Sequence, residues 1–423
     1  MRKTSSKSKL TNLMVPLYAR GNNRYGTRNH VLVVASNVCC NGVVQRIQRH
    51  FQGIGFGPHG ENQIIPLVHN GGCCDVGFDE ALVEHTLIHM INNPNFGGVL
   101  LVQLGCGQFC STCRADGVSQ RNGKLVQALR KHTEIAEVVL QGPGGLTRAV
   151  EKGIAAVERL IAKLDQQPRV PAELKLAAFP GVMNGSSDMT SPIANAAVGS
   201  FIDQLVMDYG RAAFGQTIEM LGAEKQILAR AANNRIRWRV QQLLTSRAEQ
   251  RAAAEHEGVE AEPTNGNKDG GISTLSEKSL GTVRKLGHVG QIVGIVPFGQ
   301  RASTKDGLHL VDTSGQDVLC LSGLSVAGCN LILFTTGRGA PTGAPGIPVI
   351  KITANRNTYE NLSDFVDLYV PLDQVINDGR ALDDVALDVI SDYAAAVGAG
   401  VQLTRSEQNQ QYDFQVMKYL PTA

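Results

Sequence analysis

The chain has 423 residues, 43% of them hydrophobic, with 40 Lys and Arg against 38 Asp and Glu for a formal net charge of +2. That length supports two or three domains with substantial cores, and the balanced charge, with no basic stripe interleaved with aromatics, argues against a nucleic-acid-binding face. No run of eighteen apolar residues exists, so no membrane span is expected, and the nine cysteines lack a secretory signal and read as belonging to a reducing, cytoplasmic setting.

Residues 1–20 read as a flexible lead and 21–165 as a first α/β domain. Its strand His30–Ser36 runs into Asn37-Val38-Cys39-Cys40, and Gln63–His69 runs into Asn70-Gly71-Gly72-Cys73-Cys74. A third apolar run, from Val99 to Leu104, ends on Gly105-Cys106, and Ile135–Leu140 makes a fourth. Continuous apolar runs bounded by glycine predict strands covered on both faces of a parallel sheet. Cys39, Cys73 and Cys106 are 34 and 33 residues apart, close to the roughly 30 of one βα unit, so three strands would each end on a cysteine along one edge. Helices are expected at Gly42–Phe51, Phe78–Asn92, Gly123–His132 and Leu146–Leu164.

Residues 166–423 read as one or more further α/β domains. Expected there are a strand at Leu174–Phe179, the turn GVMNGSSD (181–188), a helix Ala194–Tyr209, and a strand-to-loop passage Ala212–Met220. A long helix from Gly222 to about Glu257 leads into a ligand-facing loop, Glu255–Asp269. Strands follow at Gln291–Val296, Leu308–Asp312, Asn330–Phe334 and Pro348–Ile352, then short helices to the end. The fold class is therefore α/β, with two or more parallel-sheet, Rossmann-like units facing a shared cleft.

Six stretches carry a family likeness: GNNRYGTRN (21–29), NPNFGGVLLVQLGC (93–106), GSSD (185–188), GNKDGGISTLSEKSLG (266–281), VDTSGQD (311–317) and FTTGRGAPTGAPGIPVIKITAN (334–355). Together they resemble the catalytic region of the altronate/galactarate dehydratase family, which includes the large chain of sulfolactate sulfo-lyase. The resemblance implies a lyase that eliminates water, or sulfite, from a small hydroxy acid to leave a 2-oxo acid. It implies iron, as Fe2+ or an iron–sulfur cluster, or another divalent metal. It also implies a small β-rich domain ahead of Gly21, supplied here by a separate partner chain if at all; a homo-oligomer is left open. The chain departs from the family at Asn93, Gly107, Asn184 and QGPGGLT (141–147), where the family has a histidine, a glutamate, a cysteine and a second glutamate.

Cys39, Cys73 and Cys106 match family cysteines, and three thiolates would leave an open iron site acting as a Lewis acid. Against this stand three buried thiols acting as small hydrophobes. Cys106, Cys110 and Cys113 also carry the spacing of radical S-adenosylmethionine enzymes or of a local zinc site. Arg24, Arg28 and Asn29 offer bidentate carboxylate recognition, or else a salt-bridged surface turn. In GNKDGG and its helix, Asn267, the backbone of Gly270 and Gly271, Thr274 and Ser279 are candidate substrate contacts. Glu277 and Lys278 are a candidate acid/base pair, with Asp188 of GSSD as a third catalytic group; helix capping by Thr274 and Glu277 is the structural alternative. Asp312, Thr313, Thr335, Thr336, Arg338, Lys351 and Asn355 end successive strands and complete the candidate substrate site. His69 and His309 are equally well explained as satisfied structural histidines.

Overall fold

A computed structural model describes residues 10, 13–72, 78–105, 134–207, 209–256 and 263–417. The first strand, β1 (Met14–Ala19), pairs antiparallel with β2 (Tyr25–Gly26). The flexible lead is therefore corrected at its C-terminal end. Val15 and Leu17 alternate with the exposed Met14 and Pro16, which gives Met14–Ala19 one core-facing side.

The first parallel sheet comprises β3 (His30–Ala35), β4 (Ile64–Leu67), β5 (Phe96–Gln103) and β6 (Glu134–Val139), in the order β4-β3-β5-β6. β3 and β5 are buried at every residue, so they read as unbroken apolar runs. Val31 and Val33 pack under helices Asn41–His50 and Gly145–Leu164, through Val44, Ile47, Val157 and Leu160. Leu32 and Val34 point the other way, onto Val83, Leu87 and Met90 of helix Phe78–Ile91. Phe298, Val326, Phe414 and Val416 join that second cluster from later in the chain, so the two sheet units share a core.

β7 (Val170–Glu173) returns to pair with β1. The second parallel sheet then builds from β8 (Pro180–Asn184), β9 (Arg211–Phe214), β10 (Ile292–Val296), β11 (Gly307–Val311), β12 (Leu331–Thr335), β13 (Val349–Thr353) and β14 (Leu368–Tyr369). Its order is β10-β11-β9-β8-β12-β13-β14, with every pairing parallel. The chain extends to one side of β8 and later to the other, so the order reverses between β8 and β12. A crevice opens at such a reversal, outside the carboxyl ends of the strands.

Three expectations shift. The strand placed at Leu174–Phe179 lies at Pro180–Asn184, after a helical turn at Leu174–Ala177. Proline can head a strand, where its missing N–H costs least. The long helix expected from Gly222 is two, Glu224–Ala229 and Asn234–His256. Between them Ala231 bridges to Ile292, and the Asn233 side chain accepts from Ile236 N at 3.0 Å to restart the helix. Residues 265–269 of the expected loop form a short helix. Among the described residues, no helix is long and apolar enough to cross a membrane.

Candidate active site

The loops that leave β8, β9 and β11 enclose a polar cavity of about 210 Å3, whose lining includes Asn184, Gln216, Glu219, Asn267, Lys278 and Asp317. Its centre is an ion pair: Lys278 Nζ lies 3.0 Å from Glu219 Oε1, with both side chains all but buried. Asn184, the last residue of β8, donates Nδ2 to Glu219 Oε2 and to Thr282 Oγ1, each at 2.7 Å. Gln216 exchanges two hydrogen bonds with the Asn184 backbone, accepting at 2.7 Å and donating at 2.6 Å. Gln216 holds a left-handed φ of +57°, unusual for a residue with a side chain, and its N–H donates to Thr313 Oγ1 at 2.7 Å. Behind the pair, Lys285 is fully buried and its Nζ has no hydrogen-bond partner. Burial, only partly offset by the Glu219 charge, lowers its pKa to about 8.

Of the residues singled out in the sequence, Lys278 and Asn267 line this cavity, and several others build its frame. Asn267 accepts from Ser187 N at 2.8 Å. Thr335 donates to Asn195 Oδ1 at 2.7 Å and to Asn184 Oδ1 at 3.1 Å, and Thr336 donates to Ser186 O at 3.2 Å. Two glycines permit the loops to close. A Cβ on Gly270 would meet Ser187 O at 2.6 Å, and one on Gly337 would meet Asp188 Oδ1 at 2.2 Å. Arg338 reaches from the β12 turn to Gly266 O at 2.9 Å, and its side chain is 41% exposed beside the 264–270 loop. Ser279 donates to Leu221 O, and Gly271 turns its loop with φ +92°.

Other candidates have different roles. Glu277 is a capping residue: Thr274 Oγ1 accepts its N–H at 3.2 Å, while its carboxylate accepts from Ser273 N and Oγ, both at 2.9 Å. Those bonds favour the ionised form and hold its pKa below the usual glutamate range. It lies outside the cavity lining, whereas Lys278 lines the cavity and pairs there with Glu219. Asp188 holds the turn before helix Ser191–Met207, accepting from Thr190 N at 2.8 Å and from Asn355 Nδ2 at 2.7 Å. Asp312 is paired with Arg247. Lys351 is buried, its Nζ donating to Pro341 O at 2.7 Å, and burial lowers its pKa to about 8.

Arg28 is a structural residue. Its guanidinium meets Glu407 through two bonds, at 2.7 and 3.0 Å, and also donates to the carbonyls of Thr27, Val397 and Gln402. Asn29 is buried beside it, donating to Leu164 O at 3.1 Å. Arg24 lies where β9 and β11 begin, at the opposite sheet edge from the cavity. His69 Nε2 meets Ala35 O and its Nδ1 accepts from Gly71 N, so it serves as a turn histidine.

At the carboxyl edge of the first sheet Cys39 is exposed and Cys40 buried, and burial raises the Cys40 thiol pKa. Cys73, Cys106, Cys110 and Cys113 lie outside the described residues. The described strands that precede Cys73 and Cys106, β4 and β5, flank β3, and Val38 N donates to Gly71 O at 2.7 Å. An accessible thiol beside the strands that precede two others suits iron, which takes thiolate ligands. Among the described residues, no three His, Cys, Asp or Glu side chains converge as a metal site.

Glu219, Gln216, Asp317 and Lys285 were not anticipated. The polar GQTIE directly after an apolar strand signals Gln216 and Glu219, Asp317 closes the VDTSGQD stretch, and no local signal marks Lys285.

The family description "D-galactarate/Altronate dehydratase, C-terminal" matches residues 178–422, and "D-galactarate dehydratase/Altronate hydrolase, second domain" matches 17–165. The chain is 30% identical to the altronate dehydratase of Bacillus subtilis (strain 168), over 95% of this chain and 77% of that protein. It is 28% identical to the altronate dehydratase of Escherichia coli (strain K12), over 84% and 68%. It is 27% identical to the (2R)-sulfolactate sulfo-lyase subunit beta of Chromohalobacter salexigens, over 84% and 85%. On these matches, the chain belongs to the D-galactarate/altronate dehydratase family.

Proposed function

We propose that the chain is a hydro-lyase that dehydrates a small sugar acid to a 2-oxo acid. One juxtaposition supports this reading above the rest. A buried Lys278–Glu219 pair faces a polar cavity at the carboxyl edge of a parallel sheet, in a chain whose relatives include altronate dehydratases. Asn184, Gln216 and Asn267, held in fixed orientations, suit a substrate rich in hydroxyls. Glu219 accepts the α-proton. Lys278, its Nζ 3.0 Å from that carboxylate, stabilises the enolate-like charge and gives a proton to the leaving hydroxyl. Arg338, at the loop beside the cavity, takes the substrate carboxylate. Cys39, with Cys73 and Cys106, would hold iron, which supplies Lewis-acid chemistry at oxygen when bound. The free thiols among the described residues suit a reducing, cytoplasmic setting.

The test is anaerobic turnover of altronate and galactarate with ferrous iron, scored by 2-oxo acid formed. Glu219→Gln and Lys278→Met should each lower kcat by about 100-fold or more. Unchanged kcat in both folded variants would refute the assignment of the pair. A second reading, supported by the coverage of a sulfo-lyase subunit beta, makes this chain the large subunit of an enzyme that needs a small partner. Release of sulfite from sulfolactate, with no 2-oxo acid formed from the sugar acids, would select it.

A further inference from the structure

At the other edge of the seven-stranded sheet, where β9 and β11 begin, lies a second cavity of about 450 Å3. Asn22, Asn23, Arg24, Tyr209, Arg211 and Asp306 are among its lining. β9 alone is four residues long, so about 13 Å or more separates this edge from the candidate active site.

The wall of the cavity is cationic. Arg24 donates Nη2 to Asn92 O, and Arg301 Nη1 shares that carbonyl at 3.3 Å. Arg211 donates to Ser303 O at 3.1 Å and lies 4.2 Å over the Phe179 ring. Among the described residues none of the three guanidiniums forms a salt bridge; Asp306, on the rim, is the carboxylate that faces Arg211. Arg24 Nε is buried with no hydrogen-bond partner. Burial, and then the Arg24 and Arg211 charges, lower the Arg301 pKa to about 10. Three guanidiniums against the single Asp306 carboxylate leave this wall net positive, which favours an incoming anion.

The remaining lining sets the ligand's character. Asn22, Asn23 and Asp306 are hydroxyl-binding groups, and Tyr209, 77% exposed at the mouth, offers a ring face to the C–H face of a sugar. We propose that this cavity binds a small polyhydroxylated anion, a sugar acid or a sugar phosphate, with its charged group on Arg24 and Arg211. Arg24 and Asn92 belong to the first unit and Arg211 and Arg301 to the second, so the ligand bridges the two.

Calorimetric titration of the full chain with gluconate and with glucose 6-phosphate tests this. Saturable binding of either ligand is expected, and which one binds assigns the charged group as carboxylate or phosphoryl. Arg24→Gln and Arg211→Gln should each weaken it about tenfold or more, while Lys278→Gln leaves it unchanged. Arg24 also holds Asn92, so Arg24→Gln is paired with Tyr209→Asn, an exposed change that tolerates the φ of +68° and should weaken binding a few-fold. Binding lost in Lys278→Gln but kept in Arg211→Gln would place the ligand in the active-site cavity and overturn the proposal. So would wild-type affinity in both Arg211→Gln and Tyr209→Asn, or no saturable binding to the folded protein up to about 10 mM.

Discussion

Lys285 shows how far a single residue can be read in physical terms. It is fully buried without a hydrogen-bond partner, and its pKa is lowered from 10.5 to about 8. The unfolded chain therefore binds the proton more tightly than the folded one. Below about pH 8 the folded protein carries the whole cost of a buried cation. That cost fades as pH rises from 8 toward 10.5, on the order of 3 kcal/mol in all. Lys285→Met should thus be more stable than the wild type at pH 7, with the difference shrinking toward pH 10; urea denaturation at the two pH values measures it. A difference independent of pH would show that folding does not lower the Lys285 pKa. At the same scale, Glu277→Gln should leave kcat unchanged and lower the melting temperature only slightly, because its visible work is capping a helix. A large loss of kcat at unchanged melting temperature would return Glu277 to the chemistry.

At the scale of elements, strand ends were the legible part of the sequence. Val31–Ala35 and Phe96–Val102 are buried on both faces, so hydrophobicity alone marks them, and the βα spacing orders them. Partners far along the chain were not legible. Arg28 in its glycine-punctuated turn reads as a substrate arginine because nothing local announces Glu407, 379 positions away. Glu219 joins Asn184 and Lys278 only once β8, β9 and helix Leu275–Thr282 have assembled. A motif shows which residues are polar, and only tertiary packing shows which of them are already satisfied. The Arg28–Glu407 fork closes the C-terminal helix Arg405–Gln408 onto the start of the first sheet unit. Glu407→Gln leaves a buried guanidinium uncompensated and should cost about 3–5 kcal/mol in chemical denaturation. Arg28→Lys, which keeps the charge and loses the fork, should cost nearly as much. Near-native stability in both would make the pair dispensable.

At the scale of the whole molecule, the cysteine edge of the first sheet and the cavity in the second lie on different sheet units. The C-terminal segment supplies a physical connection. Asn70, three residues before Cys73, exchanges two hydrogen bonds with the Val416 backbone, at 3.2 and 3.1 Å. Gln415 N donates to Ser322 Oγ at 3.0 Å, on the helix Asp317–Val326 whose first residue lines the cavity. An iron site on Cys39, Cys73 and Cys106 would thus be tied through a few contacts to the Lys278–Glu219 pair. The prediction separates that edge from the rival loop cysteines. Cys39→Ser, Cys73→Ser and Cys106→Ser should each remove bound iron and activity together, because a cluster held by three thiolates loses one ligand in three. Cys110→Ser and Cys113→Ser should leave both largely intact. Anaerobic iron and sulfide content, read with the visible absorption of the same samples, decides between them. Iron lost in Cys110→Ser and Cys113→Ser but retained in Cys39→Ser would move the metal to the loop after β5 and leave the strand edge without one.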